Sequence, residues 1–129
     1  MEKVSILSIA SALKGVWDNE IGYSLTITDV DEDRSFKGHY HTLVGKSDKD
    51  QQYNVVGFFS ENEHSSNSFL ISFIVNWGEA HALTTWNGYL KLEGGQKSLS
   101  TTWLHSKSTK EVKFWDGLTT GSNVFVPKK

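Results

Sequence analysis

Two indoles with a hydroxyl between them can grip a flat ligand and orient it, and one stretch of this sequence carries that set on a single face. Along residues 69–77, Phe69, Ile71, Phe73, Val75 and Trp77 alternate with Leu70, Ser72, Ile74 and Asn76. That is the period of a β-strand with one wholly apolar face. Gly78 and Glu79 make a short connection, and a returning strand places Ala82, Thr84, Trp86 and Gly88 together. In a hairpin, this is the face that Trp77 lines. A plain core favours aliphatic side chains without polar atoms. Tryptophans around a threonine suit a pocket wall instead. The sequence has no Ser/His/Asp arrangement and no pair of inward carboxylates, and Asp and Glu fall almost entirely in loops and turns. Hydroxyls, amides and rings bind well and transfer protons poorly, so the expected chemistry is binding without catalysis.

The elements that must position these residues are short strands. Residues 15–19 form the first. Tyr23, Leu25 and Ile27 face inward on the second, with Ser24, Thr26 and Thr28 outside. After an acidic turn at 29–33, Phe36, Gly38, Tyr40 and Thr42 face inward, and Lys37, His39 and His41 outward. Residues 45–50 read as a polar loop. The strand over 53–59 is apolar on both faces, with Tyr53, Val55 and Phe59 on one and Val56 and Phe58 on the other. In a half-solvated antiparallel sheet, such an outer face calls for a cover, most simply another subunit. Residues 60–68 form the next loop. Gly94 and Gly95 turn the chain into a strand over 98–105 with Leu99, Thr101 and Trp103 inward. Residues 109–118 read as a loop or short helix carrying Trp115, and 122–126 as the last strand. Eight short strands with tight turns predict an all-β antiparallel up-and-down barrel or a sandwich.

Composition narrows the partners. The 129 residues suit one domain. A net charge of −2 gives no electrostatic case for nucleic acid, and no basic block suggests a lipid surface. Without cysteine there is no disulfide framework, thiol nucleophile or CxxC metal site. No apolar run is long enough to predict a membrane span. The histidines offer no metal-ligand spacing: His39 and His41 share an outer face, and His64, His81 and His105 read as solvated surface. Residues 1–12 are apolar and end in small residues, yet they lack a basic flank beyond Lys3 and are short for a secretory signal. They read as an N-terminal extension packed on the domain. The sequence leaves the compartment open: soluble, and either secreted or cytoplasmic.

In order along the chain stand Gly15-x-Trp17-x-Asn19-x-x-Gly22, Gly38-x-Tyr40-x-Thr42, Asn76-Trp77, Thr84-Thr85-Trp86-x-Gly88, Thr102-Trp103-Leu104 and a late Trp115. This set resembles the avidin/streptavidin family from about Gly15 to Phe125. A lone Gly-x-Trp would be weak, because lipocalins share it. The resemblance implies an eight-stranded antiparallel up-and-down barrel over 15–127, preceded by an extension over 1–14, holding one biotin in its mouth. It implies that Asn19 and Tyr40 donate to the ureido oxygen, and that Thr42 and Asn123 accept from the two ureido nitrogens. Thr84 faces the thioether sulfur, and Trp77, Trp86 and Trp103 form the aromatic wall. Trp115 matches a tryptophan that a neighbouring subunit lends to the pocket. This implies a homo-oligomer, a tetramer with a dimer as the alternative. Biotin is the ligand; no cofactor, metal, nucleic acid or membrane is implied. Trp17 reads as a barrel-floor core residue rather than a ligand contact.

Two residues depart from the family's pattern. Tyr23 replaces the serine beside the ureido oxygen; its phenol can donate only from further back, and its ring takes up space. Losing a donor to a buried acceptor costs about 1–3 kcal/mol. Ala82 stands where a serine often binds the ligand carboxylate, and Lys46 is the candidate replacement. The two readings carried forward are therefore high-affinity biotin binding, and an avidin-like barrel with weakened or altered specificity because of Tyr23.

Overall fold

Period-two alternation closes into a barrel. A computed structural model of the chain describes residues 6–42, 51–110 and 117–128. Helix α1 (Ile6–Leu13) precedes strands β1 (Gly15–Asn19), β2 (Ser24–Val30), β3 (Ser35–Thr42), β4 (Gln51–Glu61), β5 (Ser68–Asn76), β6 (Ala82–Glu93), β7 (Gln96–Lys107) and β8 (Leu118–Pro127). Each strand pairs antiparallel with the next, and β8 returns to β1, so the sheet has no free edge. Of the two architectures the residues left open, the barrel forms and the sandwich does not.

The inward residues are those the alternation selects. On β5, Phe69, Ile71, Phe73 and Val75 are buried and the residues between them are not. Several strands run further than the sequence reading. At the β6–β7 hairpin, Glu93 pairs with Gln96 across Gly94 and Gly95, whose φ values are 58° and 79°. A two-residue turn with both central φ positive matches strand twist, so pairing continues to the turn itself. On the other side, β8 starts at Leu118, because Ser106 of β7 is there to pair with it.

The start of β1, the end of β8 and the connections 31–34, 62–67 and 94–95 lie at one end of the barrel. The connections 20–23 and 77–81 lie at the other, with the paired Thr42 and Gln51. Helix α1 closes the first end. Residues 6–12, read from sequence only as an extension, form two turns whose Ile9, together with Leu13, is fully buried. Burying side chains of this size is worth roughly 1.5–3 kcal/mol each, and a helix this short has little stability of its own. Its last turn exposes carbonyls that need donors. Trp17 Nε1–H donates to Leu13 O across 2.9 Å, and Lys97 Nζ donates to Ala12 O across 2.6 Å while lying over the Trp17 ring. The chain leaves the helix at Gly15 with φ 129°, a conformation that glycine alone adopts readily.

Candidate functional site

At the open end, polar side chains enter an aromatic shell. Tyr40 is its centre. It is 2% exposed, and its ring lies 5.1 Å from Trp86, 5.8 Å from Trp77 and 6.1 Å from Tyr23, centroid to centroid. Phe73 stacks on Trp86 with an interplanar angle of 12°. Phe73, Trp86, Trp103 and Gly121 are register partners across four adjacent strands, β5 to β8. A Cβ on Gly121 would stand 2.4 Å from the Trp103 indole, so only glycine lets that ring lie across β8.

Asn19 is both a turn residue and an inward donor. Its Oδ1 accepts from Ile21 N at 3.1 Å and Tyr23 N at 2.9 Å, pinning the β1–β2 turn. That fixes the amide so that Nδ2 points into the barrel, where it donates to the Tyr40 hydroxyl at 3.4 Å. The bond uses the phenol oxygen as acceptor and leaves the phenol proton unspent. Burial pushes the Tyr40 phenol well above the ordinary tyrosine range, and the neighbouring Tyr23 adds to the rise; donation from Asn19 opposes it. The rise favours the neutral phenol, which keeps its proton to donate.

Asn123 is held at both ends of its amide. Trp86 Nε1–H donates to its Oδ1 across 3.1 Å, and its Nδ2 donates to Glu20 Oε1 across 2.6 Å. Glu20 Oε2 also accepts from Val124 N at 2.8 Å. Burial alone would raise the Glu20 carboxyl, but the donors Asn123 and Val124 N–H outweigh it and hold the group below the ordinary glutamate range. The amide orientation leaves Oδ1 as the inward acceptor, with a lone pair beyond the one Trp86 uses.

Thr84 lies in register with His105 on the neighbouring strand. Its hydroxyl accepts from Trp77 Nε1–H across 2.7 Å and is hydrogen-bonded to His105 Nδ1. Thr42 sits two places beyond Tyr40 on the same face of β3, half-buried. Tyr23 packs edge-on against Tyr40 at an interplanar angle of 79°, its ring turned toward the core.

The structure thus brings together Asn19, Tyr23, Tyr40, Thr42, Trp77, Thr84, Trp86, Trp103 and Asn123 at one end of the barrel. Lys46 and Trp115 lie outside the described residues. One assignment is corrected: His105 is not solvated surface. It follows Leu99, Thr101 and Trp103 at period two and is half-buried on the inner wall, a signal present in the sequence. Glu20, the residue that orients Asn123, had no signal beyond its place after Asn19. Among the described residues, no group of three or more His, Asp or Glu comes together to hold a metal. No helix there is long and apolar enough to cross a membrane.

A closed eight-stranded barrel with a sealed floor and an aromatic, hydrogen-bonding mouth has the form of small-ligand barrels. The chain belongs to the avidin family, whose model matches residues 8–128. Avidin of Gallus gallus is 25% identical over 116 residues, covering 88% of this chain and 76% of that one. Avidin-related protein 4/5 of the same species is 26% identical over the same length and the same shares. The solved structure of Xenavidin superposes with a TM-score of 0.76 at 28% identity, covering 90% of this chain and 97% of the other. A biotin binding protein from chicken gives a TM-score of 0.78 at 26% identity, covering 91% and 96%.

Proposed function

We propose that this protein binds biotin in the barrel mouth, without catalysis. The observation that carries the reading is the convergence of Asn19 Nδ2 and the Tyr40 hydroxyl, 3.4 Å apart, in a barrel that also holds the acceptor Asn123 Oδ1 on Trp86 Nε1–H. A cyclic urea has one strong acceptor and two N–H donors. Asn19 and Tyr40 would donate to its oxygen, and Asn123 and Thr42 would accept from its nitrogens. Trp77, Trp86 and Trp103 would pack on the bicyclic ring, with Thr84 beside the thioether and Lys46 toward the carboxylate. Partners already fixed by hydrogen bonds lose little entropy on binding. The avidin relatives and the chicken biotin-binding structure support the same ligand. Titrating biotin while following tryptophan fluorescence and heat tests this. We expect saturation at one biotin per chain; no response at high biotin would overturn the reading.

Tyr23 favours a second reading, in which the barrel takes a different small ligand. Its ring packs against Tyr40, at the end where the ureido group would lie. Tyr23→Ser separates the two. A gain in biotin affinity of tenfold or more, on the order of one strong hydrogen bond, would favour the retuned barrel. An unchanged or weaker affinity would favour a phenol that serves biotin.

We further infer a homo-oligomer, in which Trp115 of one subunit reaches a neighbour's pocket. On the outer wall of β4–β7, Val56, Phe58, Leu70, Ile74, Leu83, Tyr89 and Leu104 are exposed, Phe58 by 58%. Isolated barrels do not leave so long an apolar stripe in water. Sedimentation should give a tetramer, and Phe58→Glu should shift it toward smaller species; a monomeric parent protein would sink the inference.

A further inference from the structure

We propose that His105 sets the hydrogen-bonding polarity of the Thr84 hydroxyl, and through it what the mouth accepts beside that residue. The proposal rests on the biotin reading for the identity of the ligand, but the placement of the proton stands on the side chains alone.

Thr84 has one proton and an oxygen that accepts. Trp77 Nε1–H can only donate, and it spends itself on that oxygen across 2.7 Å. The other partner of the hydroxyl is His105 Nδ1. Thr84 is 4% exposed, so water does not reach its proton freely. If Nδ1 carried hydrogen, two donors would converge on one oxygen and the threonine proton would be left buried without an acceptor, an expensive arrangement. If Nδ1 is the bare nitrogen, each group has its partner: Trp77 donates to Thr84, Thr84 donates to His105, and the ring proton sits on Nε2. The rings of Trp77 and His105 then hold the hydroxyl from two sides, and its proton points at the imidazole.

The consequence is specific. A threonine with a free proton can donate to a thioether sulfur or another weak acceptor on a ligand. Thr84 with its proton committed to His105 offers only a lone pair. Beside Thr84 the site therefore gains nothing from a ligand acceptor, and it should hold a sulfur-containing ring and its methylene counterpart almost equally. His105 is a positioning residue that sets specificity by holding this proton, and its own contact with ligand is not required.

The test compares the affinities of biotin and of its carba analogue, in which sulfur is replaced by CH2, for the parent protein and for His105→Leu. It also records the ring-nitrogen spectrum of His105 at mildly alkaline pH, in the parent and in Thr84→Val. In the parent protein we expect the two ligands to bind within about twofold, and an unprotonated Nδ1 whose resonance moves in Thr84→Val. In His105→Leu the freed hydroxyl should favour biotin over the analogue by about three- to tenfold, the range of one modest hydrogen bond. His105→Gln, whose side-chain oxygen can accept the same proton, should return the ratio toward the parent value if leucine disturbs packing. A ratio unmoved by His105→Leu, or a protonated Nδ1, overturns the proposal. If neither ligand binds, the biotin reading fails, and the nitrogen spectrum still decides where the proton lies.

Discussion

The two ends of this barrel use the same residue type for opposite purposes. At the floor, Trp17 is 1% exposed and its indole N–H is bonded to the Leu13 carbonyl, while Lys97 covers the ring. Both the indole N–H and the ammonium are spent on carbonyls of the helix end, Leu13 O and Ala12 O. At the mouth, Trp77 and Trp86 donate to side chains, Thr84 and Asn123, whose remaining hydrogen-bonding capacity faces the interior. A buried tryptophan is therefore not a site marker by itself. What distinguishes the mouth is that the indole partners are side chains with a second hydrogen bond to give or take. Backbone partners close a structure, whereas side-chain partners orient a function.

This contrast breaks most visibly at the floor. Trp17→Ala removes a fully buried indole and one donor to α1, and should cost about 3–5 kcal/mol of stability. The denaturant midpoint would report it, while the biotin stoichiometry of the folded fraction stays the same. A small stability loss would mean that the helix, rather than the indole, seals the barrel. Tyr40→Phe should do the reverse. Among the described residues its hydroxyl makes one long bond, 3.4 Å from Asn19 Nδ2, so stability should change by less than about 1 kcal/mol. Biotin affinity should fall about ten- to a hundredfold, the worth of one donor to a buried acceptor. Calorimetry with and without ligand separates the two effects; equal losses in both would erase the distinction between the ends.

Lys97→Met tests the floor more gently. It deletes the bond to Ala12 O and the cation over Trp17, together worth about 1–2 kcal/mol, with no change in ligand affinity. Glu20→Gln gives the smallest effect, a few-fold weaker binding through a looser Asn123. Its pH signature is directional. The folded-state carboxyl is held below its unfolded value, so its contribution is present above the ordinary glutamate range and is lost as pH falls through the lowered folded value. The parent protein and Glu20→Gln should therefore converge in acid. An acid response that is the same in both proteins at every pH would remove Glu20 from the account.

Much of the barrel was legible because strand alternation is a local property. Tyr40, Thr84, Trp86, Trp103 and Asn123 face inward in the order and register that period two requires. The same rule reaches His105, two places past Trp103, but a lone histidine carries no sign of its partner. That partner, Thr84, is 21 residues away in sequence and meets it only when β6 and β7 pair. Glu20 was less legible still, since a carboxylate in a tight turn ordinarily faces water. Its bond to Asn123 joins residues 103 positions apart and exists because β8 closes onto β1. Two turns of helix over α1 were read only as an extension, because eight apolar and small residues do not specify a helix without a surface to pack on.

Alone, the sequence determined most of the side chains that face inward, His105 excepted, how many strands there are and what kinds of group line the cavity, since these follow from backbone periodicity and turn chemistry. Only the closed barrel decided which atoms of those groups remain available. Asn19 gives its oxygen to its own turn and its nitrogen to the interior, and Asn123 gives its nitrogen to Glu20 and its oxygen to the interior. An amide presents donor or acceptor according to what holds its other end. Those holding partners are fixed by strand register and closure, which no local run of residues contains.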